Sequence, residues 1–576
     1  MRSARLPALL AAALLVVGGC AAIPTQTLPQ PANIGLGQDN QAAVPQPENG
    51  LSPPDIVRDF LDNTADSTGD YAAAAAYLAP GSRAGWNPKA SVQIISTDFN
   101  TFPSSTKDPN QQMITVRASV VGTLNPDGSF TAGTGEFQTS YQVNRQRDGQ
   151  WRIVRPADGL VIPYSFFQVN YHQVPIYFYD PSFSQLVPDL RWVTTEPTSG
   201  LPARIVDLLL DGPSAAVHGA MNSAVPSGVT PKTTVEQTDD GAILVNLDHV
   251  PTETDHTKQL MVAQIVASLH TETDGVVRVE SEANPLVTGH LDWRFSELPV
   301  YPLPGPSANL PGLTVAHGRV YSLKDGDPVA GQAGNGSFTV RTAAQSADGS
   351  ELAAVVAIPG TGEALRVGQF GGMLSYVDLN AQQMTRPTWA PGDVTGSPSR
   401  EVWTVADQQV VRVDNNSSAG VWQATPVDSS ALAGDGPITD LRLSRDGTRV
   451  AVVAGGHVFV GAVVTSLAGS VAIKQVTELQ GDTLSGVTSV DWLDATDLVV
   501  ATSMPRLPVV KLSLDGLVLD PYLTTNLTAP VTAVTGAPSR PVVVADANGL
   551  WETSDTTEIW QSIQHTDNGV IPLYPG

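Results

Sequence analysis

The hydrophobic pattern divides the chain into stretches of different period. Residues 6–17 form an apolar run broken only by Pro7, preceded by Arg2 and Arg5 and followed by Gly18, Gly19 and Cys20. At about 12 residues the run is too short to span a bilayer core, which takes about 20, and the order of basic, apolar and small residues is that of a secretory signal. Residues 21–50 are rich in Pro, Gln, Asn and Ala without apolar period, and read as a flexible linker. From Ser52 the period becomes helical: Ser52-Pro53-Pro54-Asp55 is a helix start, with Ile56, Val57, Phe60 and Leu61 on one face. An alanine-rich helix over 71–78 follows, then strand patterns over 92–97, 113–121, 135–144 and 151–155. Turn signals at Asn125-Pro126-Asp127-Gly128 and Arg147-Asp148-Gly149 join them, predicting two helices and then an antiparallel meander in an α+β unit over 51–172.

A second α+β unit is predicted over 173–290. It has strands at 174–179, 186–194, 242–247 and 276–280, and a helix over 202–210 with Ile205, Val206, Leu209 and Leu210 as its apolar face. Asp211-Gly212-Pro213 stops that helix, since Gly caps and Pro cannot continue. A further helix over 259–269 has Leu260, Ile265, Val266 and Leu269 as its buried set. After a Pro-rich linker over 291–312, helical period vanishes and short Val-rich runs alternate with turns to the end. Ser346-Ala347-Asp348-Gly349 and Ser444-Arg445-Asp446-Gly447 share one template, about two propeller blades apart at roughly 40–50 residues per blade. Weaker copies at Trp389-Ala390-Pro391-Gly392-Asp393, Trp492-Leu493-Asp494 and Gly536-Ala537-Pro538 fill the series, so 313–576 reads as an all-β propeller of five or six detectable blades.

Composition narrows the function. The 41% hydrophobic and 15% charged residues fit globular domains, and a formal charge of −25 argues against nucleic acid as a partner. Removal of the signal with Arg2 and Arg5 makes the mature chain more acidic still. The single cysteine excludes a disulfide framework and a thiolate zinc site. None of the nine histidines has zinc-helix spacing; His249 and His256 flank a helix start and read as a surface pair. No nucleophile elbow, dinucleotide fingerprint or phosphate loop occurs. The carboxylate pairs Asp239-Asp240, Asp325 with Asp327 and Asp494 with Asp497 lie in turn contexts, where Asp bonds the local backbone. Recurrence of Asp348 and Asp446 argues for turn structure, and that of Trp389 and Trp492 for packing between blades. No catalytic residue, metal or cofactor is therefore assigned, and the chain is expected not to be an enzyme.

Val17-Gly18-Gly19-Cys20 resembles the bacterial lipobox. That resemblance implies cleavage after Gly19, with Cys20 carrying S-diacylglycerol and an N-palmitoyl group as a membrane anchor on the extracytoplasmic face. The first α+β unit resembles cystatin-like or nuclear-transport-factor-like cones. The second, through Leu209-Leu210-Asp211-Gly212-Pro213, Ser223-Ala224-Val225-Pro226 and Val245-Asn246-Leu247, resembles the GerMN domain. The order of lipobox, cone, GerMN-like unit and propeller resembles the LpqB family of actinobacterial lipoproteins. The resemblance implies a partner in the extracytoplasmic part of the sensor kinase MtrB of the MtrAB two-component system, with influence on cell-wall homeostasis and division. Cell-wall glycan is the alternative ligand, and a propeller hydrolase a further one. The residues that meet a partner are not defined by any motif.

Overall fold

The computed structural model describes residues 44–270, 275–298, 306–307, 309–392, 399–415, 420–563 and 570–576. The signal, Gly19, Cys20 and the linker to residue 43 lie outside the described residues.

Helix Pro53–Asp62 starts where Ser52 Oγ donates to Asp55 Oδ2 at 2.6 Å, and buries Ile56, Val57, Phe60 and Leu61. Phe60 packs against Trp86 and Tyr141, so this face of the helix covers one side of a seven-stranded sheet. The main path of the sheet is Trp151–Arg155, Glu136–Arg145, Gln111–Leu124, Val92–Ile95 and Leu160–Pro163. It is not a simple antiparallel meander: Val92–Ile95 pairs in parallel with Leu160–Pro163, a strand the periodicity does not reveal. A second unpredicted strand, Asn100–Ser105, is mostly polar, contains Pro103 and pairs along the long Gln111–Leu124. The alanine-rich helix spans Thr68–Ala75 and stops short of residue 78. There the Ala79 amide and Tyr77 carbonyl pair with Ile153 at 2.8 and 3.0 Å.

The second unit opens with the hairpin Tyr171–Tyr179 and Leu186–Thr194. Helix Leu201–Asp211 ends at Gly212, whose φ of 91° a side chain would strain. Strands Ile243–Asp248 and Val277–Ser281 are parallel, joined through helix Asp255–His270. That helix departs from the amphipathic expectation, because Leu260 through Leu269 are all buried, Gln264 and Ser268 included. From Leu260 to Leu269 it is enclosed on every side, and the polar groups there are met internally: the Ala224 amide donates to Gln264 Oε1 at 2.7 Å and the Tyr177 amide to Ser268 Oγ at 2.9 Å.

The carboxy-terminal region is a ring of six sheets among the described residues. Five are four-stranded, starting at Val340, Thr388, Ile438, Val487 and Ala533. The sixth joins the two ends of the domain: Ile571–Leu573 pairs with Leu313–Ala316, which pairs with Arg319–Ser322. Neighbouring sheets share apolar cores, and the cores run round the ring in order. One joins Val355 and Leu365 of the first blade to Val402 and Val413 of the second; another joins the sixth blade's Leu313 and Leu573 to the first blade's Leu352. Strands such as Arg449–Ala454 are buried on both faces, which explains Val-rich runs with little alternation. The sequence repeats fall at or after the end of the first strand of their blades and before the second, Asp393 of the second copy lying outside the described residues.

Candidate functional site

Propellers commonly open at their axis, and here the axis is filled by charge. Arg386, Asp440, Arg442 and Asp491 project from or beside inner strands and are 7%, 5%, 2% and 1% exposed. Arg442 Nε meets Asp491 Oδ1 at 3.2 Å, while its Nη1 and Nη2 donate to the Pro387 and Gly576 carbonyls, each at 2.8 Å. Arg386 donates to Val490 O at 3.0 Å and Val534 O at 3.1 Å, with Asp440 Oδ2 3.6 Å away. Ser489 Oγ donates to Asp440 at 2.8 Å and Thr535 Oγ1 to Asp491 at 2.7 Å. Burial pushes the Asp491 carboxyl up, but Arg442, Arg386 and Arg445 outweigh it and hold it down at about 2. Asp491 is thus an ionised, satisfied acceptor, unlike a general acid or base poised near neutral pH. The arrangement ties blades together across the ring.

The second organised region is the junction of the three domains. Between the third and fourth strands of the fourth blade, Ser513-Leu514-Asp515-Gly516 repeats the Ser-x-Asp-Gly template at a turn outside the five-copy series. Asp515 Oδ1 accepts from Ser513 Oγ at 2.6 Å, which fixes the turn. Its Oδ2 accepts from Gln173 Nε2 at 2.9 Å and Trp192 Nε1 at 2.8 Å, both on the hairpin of the second domain. Leu517, 4% exposed, completes the apolar core of the first domain beside Phe167, Tyr171 and Trp192. The third blade adds Asp446 O, which accepts from Gln185 Nε2 at 2.9 Å. Between the two smaller domains, fully buried Arg191 meets Asp189 Oδ2 at 2.6 Å and Gly212 O at 3.0 Å, and its Nη1 reaches Asp127 O. The Trp192 amide donates to Gly128 O at 2.7 Å, so the turn at Asn125 to Gly128 serves as a docking element as well as a hairpin connection. With these contacts Val44–Gly576 forms one compact unit.

Family models match three segments: the LpqB N-terminal domain over 46–168, a sporulation and spore germination (Germane) domain over 175–284, and the LpqB β-propeller domain over 318–575. Lipoprotein LpqB of Nocardia farcinica (strain IFM 10152) is 30% identical across 97% of this chain and 96% of its own length. The chain belongs to the LpqB lipoprotein family. Lipoprotein LpqB of Rhodococcus jostii (strain RHA1) is 29% identical across 99% of this chain and 97% of its own. Among solved structures, a chain of a nidogen/laminin complex is 10% identical over 46% of this chain and 97% of its own, with a TM-score of 0.34, too low to bear on the fold.

Within this LpqB-family chain the sequence candidates separate cleanly. Asp348 accepts from Ser346 Oγ at 2.5 Å and the Ser350 amide at 3.1 Å; Asp446 accepts from Ser444 Oγ at 2.7 Å and the Thr448 amide at 2.8 Å. Both hold turns. The Trp389 and Trp492 indoles are buried and donate to Ala344 O at 2.9 Å and Arg442 O at 3.1 Å on the preceding blade. His249 is exposed beside Asp248. Asp240 and Asp292 share Arg278, Asp325 accepts from the Asp327 amide at 3.3 Å, and Asp497 pairs with Lys511 at 3.2 Å. Among the described residues no group of His, Cys, Asp and Glu could hold a metal ion. Neither charged cluster is visible as such in the sequence, although a search for every Ser-x-Asp-Gly finds Asp515.

Proposed function

We propose that this LpqB-family lipoprotein is tethered through Cys20 to the outer face of the cell membrane and modulates the external domain of the sensor kinase MtrB by binding it. The observation that carries the reading is the locking of three domains into one body around a charge-filled axis. Such a body offers broad fixed surfaces to a receptor. No described helix is long and apolar enough to cross a membrane, and the attachment proposed is the lipid. A rigid binder shifts a sensor between states by its differential affinity for them, and the tether raises its local concentration. The test is capture of the kinase's purified external domain by the purified chain, paired with membrane fractionation of a Cys20→Ser variant. Saturable binding and release of the variant from membranes are expected; a purified, folded chain that binds no kinase domain would sink the reading.

Binding of neutral cell-wall glycan is the second reading, favoured by one surface. Phe102 is 47% exposed with the Arg117 guanidinium 5.4 Å from its ring centroid, beside Gln138, Thr115 and Ser140 on the same sheet. An aromatic among amides and hydroxyls suits a sugar chain. Sedimentation with isolated cell wall, lost on Phe102→Ala, separates this reading from the first.

A further inference from the structure

At the junction lies a partly open cavity of about 80 Å³ whose wall includes Ser129, Asp189, Ser214, Arg449, the exposed Gln475 and Thr477, drawn from all three domains. Arg449 reaches it from the third blade and is 4% exposed. Its Nη2 donates to Pro188 O, but its Nη1 is buried with no hydrogen-bond partner among the described residues. The carboxylates at the wall are committed elsewhere. Asp189 takes Arg191 and both the amide and hydroxyl of Ser214, and Asp515 takes Trp192, Gln173 and its own turn. On the opposite wall the pairing of His457–Thr465 with Val471–Glu478 slips between Val460 and Ala462, and Gln475 takes a φ of 46°. Such bulges re-aim side chains, and this one brings an amide and a hydroxyl, Gln475 and Thr477, to the same space as the guanidinium. A single water needs only about 10–15 Å³, several times less than the cavity offers. Asp446 and Asp189 act on this buried guanidinium electrostatically, but among the described residues neither forms an ion pair with it, and an oxyanion in contact supplies acceptors matched to its planar fork.

We propose that this interdomain cavity binds a small oxyanion, of the size of inorganic phosphate or a simple carboxylate, on Nη1 of Arg449. Because the wall comes from three domains, occupancy favours their docked arrangement by mass action. The site is independent of the receptor reading, and its test involves no partner protein. The full chain, purified in detergent, is titrated with inorganic phosphate, sulfate and acetate at fixed ionic strength by calorimetry, with thermal unfolding followed in parallel. Saturable binding of at least one anion over chloride is expected, with a Tm that climbs with its concentration. Arg449→Met is expected to weaken binding about tenfold or more, the loss of a charge-assisted hydrogen bond. Gln475→Ala and Thr477→Val, which touch no interdomain hydrogen bond described above, keep the fold and weaken binding several-fold. A wild-type chain that takes up none of the three anions holds water only and overturns the proposal. Undiminished binding by folded Arg449→Met does so too; should that variant not fold, unchanged affinity in both wall variants overturns it.

Discussion

Replacing Arg442 with Met tests whether the axial charges hold the ring together. The substitution roughly keeps the volume of the side chain but leaves Asp491, 1% exposed, with Arg386 3.9 Å away, and removes the donors to Pro387 O and Gly576 O. Breaking one side of a buried ion pair costs about 3–5 kcal/mol, a large share of the roughly 5–15 kcal/mol of a typical fold. The pH dependence supplies an independent handle. With a folded-state value of about 2 against an ordinary value of 3.8, Asp491 contributes about 2 kcal/mol when ionised. Because the folded value is depressed, that contribution is fully present above about pH 4 and is lost as pH falls toward 2. Urea unfolding read by fluorescence of the buried Trp389, Trp403, Trp492 and Trp560 measures both effects. Arg442→Met should lose about 3 kcal/mol or more at pH 7 and show a flatter acid limb. The double variant Arg442→Met, Asp491→Leu should recover much of the loss, since an apolar pair of similar volume often matches a buried ion pair. A single variant within about 1 kcal/mol of wild type, or a double variant with the summed loss of both singles, would refute the reasoning.

At the junction, Leu517→Ala should cost about 2–5 kcal/mol and lower the melting of the first domain, not only of the propeller, as hydrogen exchange of Ile114 and Val116 would report; exchange there unchanged would mean the core is self-sufficient. Asp515→Ala strands the Trp192 and Gln173 donors and should separate a single calorimetric transition into two, at about 1–3 kcal/mol per unmet group. Asp62 is half-buried, and that burial, opposed by Arg58 and aided by Asp59, pushes its carboxyl up to about 6. A raised carboxylate value favours the protonated fold, so Asp62→Asn should stabilise the chain at pH 7 by about 1 kcal/mol after solvent screening, and the gain should vanish below about pH 4.

The repeats are legible because each Ser-x-Asp-Gly acts locally: a carboxylate two residues from a hydroxyl and an amide closes its own turn, so the signal survives in the sequence. The sixth blade is not, because Leu313–Ala316 and Ile571–Leu573 meet only through pairing across the whole domain. Arg386, Asp440, Arg442 and Asp491 sit singly in or beside Val-rich strands, where an isolated charge reads as a solvent-facing position; only the ring's closure brings them together. The helix Asp255–His270 shows the same limit from the other side, since its Gln264 and Ser268 imply an exposed face that tertiary packing covers. Leu517 reads as one more propeller residue, yet it belongs to the core built around Ile114 and Val116, near the other end of the folded chain.

The clasp between Ile571–Leu573 and Leu313–Ala316 also sets an order of events during synthesis. A chain emerging from its amino end presents Leu313–Ala316 with one side unpaired until Ile571–Leu573 has appeared. An exposed strand edge is a template for pairing with other chains. A product truncated anywhere before Ile571 would therefore carry an open, aggregation-prone edge, and it would also lack the Gly576 carbonyl that receives Arg442. The stretch from Ile571 to Gly576 thus closes the ring twice, once by strand pairing and once by the carbonyl that meets Arg442.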